Sequence, residues 1–228
     1  MIEGVFAIYK EEGMTSHDVV REIRRLTHQK RVGHAGTLDP CAKGVLVVGV
    51  GRAATKTLKL VVGTEKEYLT RIKLGWRSTT DDREGRIEPA TFPSIPSETQ
   101  VRQALAGFLG VIDQRPPAFS AIKVNGRAAY KLARASREVD LPARKVEAKT
   151  VELLGYAWPY VDVRLVTGPG FYVRSLARDL GEILGTGGYT EALERTRVGP
   201  YTKEQALRLA DWPRDPEPPC LDPVNQGP

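Results

Sequence analysis

One carboxylate stands out in this 228-residue chain. Asp39 lies in Gly33-His34-Ala35-Gly36-Thr37-Leu38-Asp39-Pro40, where two glycines precede it and a proline follows. Glycine permits backbone angles closed to other residues, and proline fixes its own. The residue before a proline is pushed away from helical angles. The pattern therefore predicts that Asp39 is presented from a stiff, non-helical loop, where a carboxylate could serve as a nucleophile. Asp-Pro is also an ordinary turn dipeptide, so the loop alone does not decide between chemistry and a turn. Cys41, two residues on, could be read as a nucleophile too, but no base accompanies it in sequence.

Other chemistries find little support. Cys41 and Cys220 are the two cysteines, and no CxxC or Cys/His cluster of metal spacing exists. A zinc site is not expected, and two cysteines suit a reducing compartment. Gly49-Val50-Gly51-Arg52-Ala53-Ala54 matches a dinucleotide fingerprint after an apolar run. The chain lacks the repeated βαβ rhythm of that fold, and tight packing of a helix on a strand accounts for the glycines. The formal net charge is +6, with a pI of about 9.3. A basic excess favours polyanionic partners such as nucleic acid. No apolar run reaches the roughly 18 residues of a membrane span, and the N-terminus has no basic leader. A cytoplasmic protein with no membrane contact is expected.

The elements that would position the loop can be read in outline. Val5 to Tyr9 is a strand. Thr15 and Ser16 precede a helix with Val19, Val20, Ile23 and Leu26 on one stripe, and Arg21, Arg24 and Arg25 opposite. Lys30 and Arg31 extend that basic face towards the Asp39 loop, as either a solvated face or a phosphate-contacting one. Val45 to Val48 is a buried strand, and Glu67 to Leu74 alternates as another. Residues 78–97 form a polar connection, after which Ser97 and Gln100 fit a capping box for a helix with Val101, Ala104, Leu105 and Phe108 inside. A loop through Arg115-Pro116-Pro117 leads to a short strand and a helix from about Ala128 to Arg137. Two strands, Val146 to Leu154 and Val161 to Val166, precede a helix after Tyr172-Val173-Arg174, and Thr190 caps a last one through Leu193. Six prolines from Asp211 onward read as a tail or strap. Long strands with separated helices suggest α+β and not a doubly wound fold.

Five blocks in this order resemble the bacterial TruB family of tRNA pseudouridine synthases. They are the Asp39 loop, Lys66-Glu67-Tyr68, Arg115 to Ala121, Lys123-Val124-Asn125-Gly126, and Gly170-Phe171-Tyr172-Val173-Arg174-Ser175-Leu176. The resemblance runs from about Gly4 to Tyr201. It implies the α+β pseudouridine-synthase fold around a mixed, largely antiparallel sheet. The implied activity is isomerisation of uridine 55 in the T loop of tRNA, with no cofactor, no metal and no guide RNA, by a monomer. It implies that Asp39 is the nucleophile, that Tyr68 packs on the base and handles a proton, and that Arg174 pairs with the aspartate. His34 would support the distorted T loop, Tyr172 and Leu193 would line the uracil pocket, and Lys10 would be a substrate-side lysine. Glu11 stands where the family usually has proline. A catalytic domain of residues 1–201 is expected, with residues 202–228 as a short Pro-rich tail in place of a PUA-like RNA-binding domain. A non-catalytic RNA-binding or RNA-folding module would use the same basic surface and aromatics. Dinucleotide-dependent oxidoreduction through the Gly49 turn is the remaining alternative.

Overall fold

The computed structural model describes residues 2–120, 123–124, 127–128 and 141–212. The fold is mixed α+β on a large mixed sheet, as the sequence led us to expect. It divides into two compact units. The first takes the chain up to Leu69 and from Leu193 onward, and the second takes Thr70–Ala192.

The first unit is built on two strands buried on both faces. β1 (Gly4–Lys10) runs antiparallel to β3 (Lys43–Val50), from Gly4 opposite Val50 to Lys10 opposite Gly44. β2 (Val32–His34) pairs with the far end of β3. One face of this sheet offers Phe6, Ile8, Leu46, Val48 and Val50 to Val19, Val20 and Ile23 of α1 (Ser16–Thr27). The other face offers Ala7, Val45 and Val47 to Leu58 and Val61 of α2 (Arg52–Val62). Each of these Val, Leu, Ile and Phe side chains contributes roughly 1.5–3 kcal/mol on full burial. The start of α1 is fixed by its sequence: Thr15 accepts from the Asp18 backbone N–H, and the Asp18 carboxylate accepts from that of Thr15. Gly49 explains the glycine motif, because a Cβ there would lie 2.9 Å from the Ala54 carbonyl of α2.

The second unit holds four strands in the order β4, β11, β10 and β7, with β4 (Lys66–Leu74) entering it at Thr70. β7 (Gly110–Gln114), β10 (Arg144–Ala157) and β11 (Tyr160–Thr167) pair antiparallel. Two strands at and within the 78–97 connection escaped the sequence reading. β5 (Trp76–Ser78) and β6 (Ile87–Pro89) form a separate hairpin, with six exposed or half-exposed residues and no apolar run to mark it. β8 (Lys123–Val124) and β9 (Arg127–Ala128) make another pair. α3 (Glu98–Ala106) carries the expected Ser97–Gln100 capping box, and α4 (Val173–Ile183) follows Tyr172.

The last expected helix is a strand. Thr190 caps nothing; residues Gly188–Val198 form β12, which bonds parallel to β3 at Glu194–Lys43 and Arg195–Gly44. Tyr189 and Thr190 are buried there, and a partner 150 residues away outweighs the local cap signal. β13 (Tyr201–Thr202) pairs back onto β12. β14 (Leu207–Arg208) lies parallel to β1, and Leu207, Leu209 and Trp212 pack on the first core. The helix expected from Ala128 to Arg137, the Asn125-Gly126 turn and the tail beyond residue 212 lie outside the described residues. No helix among those described is long and apolar enough to cross a membrane.

Candidate active site

Asp39 is half-buried in an irregular loop between β2 and β3, as its neighbours predict. Several backbone groups around it are held. Ala35 N–H donates to the Val47 carbonyl at 2.8 Å, and Ala42 N–H closes a turn onto the Asp39 carbonyl at 3.1 Å. Ser16, the first residue of α1, brackets Leu38: its hydroxyl donates to the Leu38 carbonyl and accepts from the Leu38 N–H, both at 2.9 Å. Gly13 N–H donates to the Pro40 carbonyl at 2.9 Å. Gly36 takes φ +87, a conformation that glycine alone adopts without cost.

Two buried cations lie against this loop. Arg195 of β12 is only 2% exposed. Its Nε donates to the Val45 carbonyl at 2.8 Å, Nη2 to Gly36 at 3.2 Å and Nη1 to Thr37 at 3.3 Å. The strands come close enough to allow this because residue 44 is glycine at φ +113; a Cβ there would fall 2.2 Å from the Arg195 carbonyl. Lys10 is fully buried, and its Nζ donates to the carbonyls of Met14 (2.7 Å), Glu11 (3.0 Å) and Pro40 (3.4 Å). Burial lowers the Lys10 ammonium to about 8, with Arg195 pushing the same way and Cys41 and Asp39 opposing. Lys10 was expected on the substrate side. Its position under the loop makes it a support for the Asp39 backbone, with its donors already taken.

His34 ends β2. Its pKa lies below the ordinary value, chiefly through burial and then through the charge of His17 and Arg195, against a backbone hydrogen bond with Gly36. The imidazole is therefore mainly neutral at pH 7, with a buried Nδ1 that has no protein partner. Beside it opens a cleft of about 540 Å³ lined by Arg24, Lys30, Arg31, Thr55, Leu58 and Lys59. Those cations include three of the basic face read in the sequence. Tyr68 lies on β4, 8% exposed, on the same face as Lys66. Leu193 lies on β12, 9% exposed.

In the second unit, Tyr172 precedes α4, and its backbone is clasped by the Gln114 amide. Oε1 accepts from the Tyr172 N–H at 2.8 Å, and Nε2 donates to its carbonyl at 3.0 Å. Arg174, 6% exposed, donates from Nη1 to the Thr80 carbonyl (3.0 Å) and from Nη2 to that of Phe119 (2.9 Å). It also forms a buried ion pair with Asp82, Nη1 to Oδ2 3.4 Å. Ser16, Gln114, Asp82 and Arg195 are the residues that sequence reasoning missed.

Residues 24–173 match the model of the TruB family pseudouridylate synthase N-terminal domain. The chain belongs to the TruB family. Residues 174–213 match the tRNA pseudouridylate synthase B C-terminal domain. Among curated TruB relatives, tRNA pseudouridine synthase B of Thermobifida fusca is 48% identical over 217 residues, covering 92% of this chain and 74% of that one. The Leifsonia xyli protein of the same name is 47% identical, covering 91% and 70%. A Cbf5-Nop10-Gar1 complex contains a chain that superposes with a TM-score of 0.71 at 30% identity, over 91% of this chain. This chain spans 53% of that longer one. TruB enzymes are isomerases, so the expected reaction class is borne out by the family, and the expected fold by the superposition.

Proposed function

We propose that this chain converts uridine 55 in the T loop of tRNA to pseudouridine, with Asp39 as nucleophile. The reaction breaks the N1–C1′ glycosidic bond, forms a C5–C1′ bond to the same base, and releases a proton from C5. It needs no redox step. A single carboxylate can split it into two easier steps. The observation that carries the reading is the wiring of residues 35–42, where Ser16, Lys10 and Arg195 fix one loop whose half-buried tip residue is an aspartate. Fixing a reacting group before substrate arrives supplies much of a catalyst's effect.

In this reading Arg174 is the cation that keeps the carboxylate ionised, and Tyr68 takes the ring proton directly or through water. The base must leave its stack, at a cost of a few kcal/mol. Stacking on Tyr68 and Tyr172 returns roughly 1–3 kcal/mol per base. A neutral His34 suits the vacated space, and the basic cleft beside it suits the phosphates of the arm. Leu193 gives the uracil an apolar wall. Residues 1–201 act as the catalytic domain, the protein works as a cytoplasmic monomer, and no guide RNA is required.

The test is incubation with one unmodified tRNA transcript and mapping of pseudouridine by mass. Wild type is expected to modify position 55. Asp39→Asn is expected to bind the transcript normally and form no product; full turnover by that variant would end the assignment. An RNA-folding role alone would show as an Asp39 variant that keeps every cellular function.

A further inference from the structure

Arg174 and Arg178 lie one turn apart on the same face of α4. Each bridges the same two segments of the second unit. Arg174 reaches Thr80 and Asp82 on one side and Phe119 on the other. Arg178 reaches Asp81, Nη1 to Oδ2 3.1 Å, and the Arg115 carbonyl, Nη2 to O 2.9 Å. Asp179 also accepts from its Nε at 2.8 Å, and Ser175 donates to the Arg115 carbonyl at 2.8 Å. Two neighbouring carboxylates thus meet two neighbouring guanidiniums. Side chains of successive residues do not ordinarily face one way; here Asp81 takes φ +60, a left-handed conformation uncommon outside glycine. That conformation costs about 1 kcal/mol or more and persists only where its surroundings hold it. Thr190 N–H donates to the Asp81 carbonyl at 3.0 Å, Asp81 N–H donates to the Ser78 carbonyl at 3.2 Å, and Arg178 holds the side chain.

We propose that Arg178, through Asp81, is a positioning residue that sets the Asp81–Asp82 turn so that Asp82 and the Thr80 carbonyl meet Arg174. This rests on Arg174 being a site residue in the function proposed above. Burial pushes the Asp81 carboxyl up to about 6, against Arg178 and Arg174 and with help from Asp179. Arg115 and Glu182 complete the charged surroundings of the cleft around Asp81. Below about pH 6 the ion pair becomes a hydrogen bond to a neutral acid, and the hold weakens.

The experiment compares wild type, Arg178→Met, Arg178→Lys, Asp81→Asn and the Arg178→Met/Asp81→Asn double variant. Single-turnover modification of the tRNA transcript is followed from pH 5 to 8. The single Met and Asn variants should lose about 10- to 100-fold in kcat with KM nearly unchanged, the scale of a small misplacement of a reacting group. The double variant should be no slower than the worse single one, and Asp81→Asn should lose the acid limb near pH 6. Arg178→Lys keeps the charge but bridges one segment only, so it should fall with the Met variant. In parallel, hydrogen exchange at Arg174 Nε–H is read by NMR on 15N-arginine protein and should quicken in every variant. Wild-type kcat in Arg178→Met or Asp81→Asn, or multiplicative losses in the double variant, would overturn the proposal. Unchanged Arg174 exchange overturns it independently of turnover, whereas a wild type that makes no pseudouridine strikes the function and leaves the exchange result to judge the clamp.

Discussion

Replacing Arg195 by methionine keeps much of the side chain's length and removes all of its donors. Three carbonyls, of Gly36, Thr37 and Val45, then lose their partner inside the protein. Hydrogen bonds to a charged donor contribute about 1.5–3 kcal/mol each. Two of these three are 3.2 Å or longer, so the lower figure applies to them and the gross loss is on the order of 4.5–6 kcal/mol. Part is offset, because Arg195 also disfavours the charged form of Lys10, and removing it relieves that. A net loss of about 3 kcal/mol remains, which a domain stable by roughly 5–15 kcal/mol survives. At about 2–4 °C per kcal/mol the melting temperature should fall by about 6–12 °C. Turnover should fall by more than stability explains. With Gly36 and Thr37 released, Asp39 is held from its far side alone, and a shift near 1 Å costs on the order of 100-fold in rate. Calorimetry gives the first number, and single-turnover modification at 25 °C, where the variant is folded, gives the second. Loss of stability with wild-type kcat would refute the claim that Arg195 sets the loop.

Asp82→Asn should lower kcat at least tenfold with unchanged tRNA affinity and cost about 3 kcal/mol, since it takes a carboxylate away from a buried guanidinium; normal kinetics would separate Asp82 from Arg174. Turnover should fall above pH 8 as Lys10 loses its proton, because a neutral amine has two donors for three carbonyls. Stability should move the other way there. The folded value of about 8 lies below the ordinary 10.5, so between them the unfolded chain holds more protons and this group adds stability as pH rises. A melting temperature and a rate that decline together through that window would contradict this account. Gly44→Ala should be destabilised by more than 4 kcal/mol, or fail to fold, from its clash with β12; an unshifted melting temperature would be inconsistent with the close approach.

The legible parts of this chain were those whose cause is local. Thr15 and Ser97 announced their helices because a cap acts within three residues, and the two-sided burial of β3 showed as an unbroken apolar run. Asp39 was legible because glycine and proline constrain a loop from inside it. Its supports were not. Arg195 acts on carbonyls 150 to 159 positions away, and a carbonyl is the same at every residue, so no side-chain pattern records the pairing. Gln114 clasps the Tyr172 backbone across 58 positions for the same reason. The strand at Thr190 was misread because a threonine before Glu191 looks like a cap, while its partner β3 is distant.

The guanidinium that braces the aspartate loop comes from Arg195, far downstream in the chain. On the ribosome, the Asp39 loop is therefore synthesised some 150 residues before the part that gives it shape. A nascent chain carries a carboxylate without a catalyst until Arg195 emerges, and any truncation that removes β12 should silence the enzyme while leaving every residue of the Asp39 motif intact.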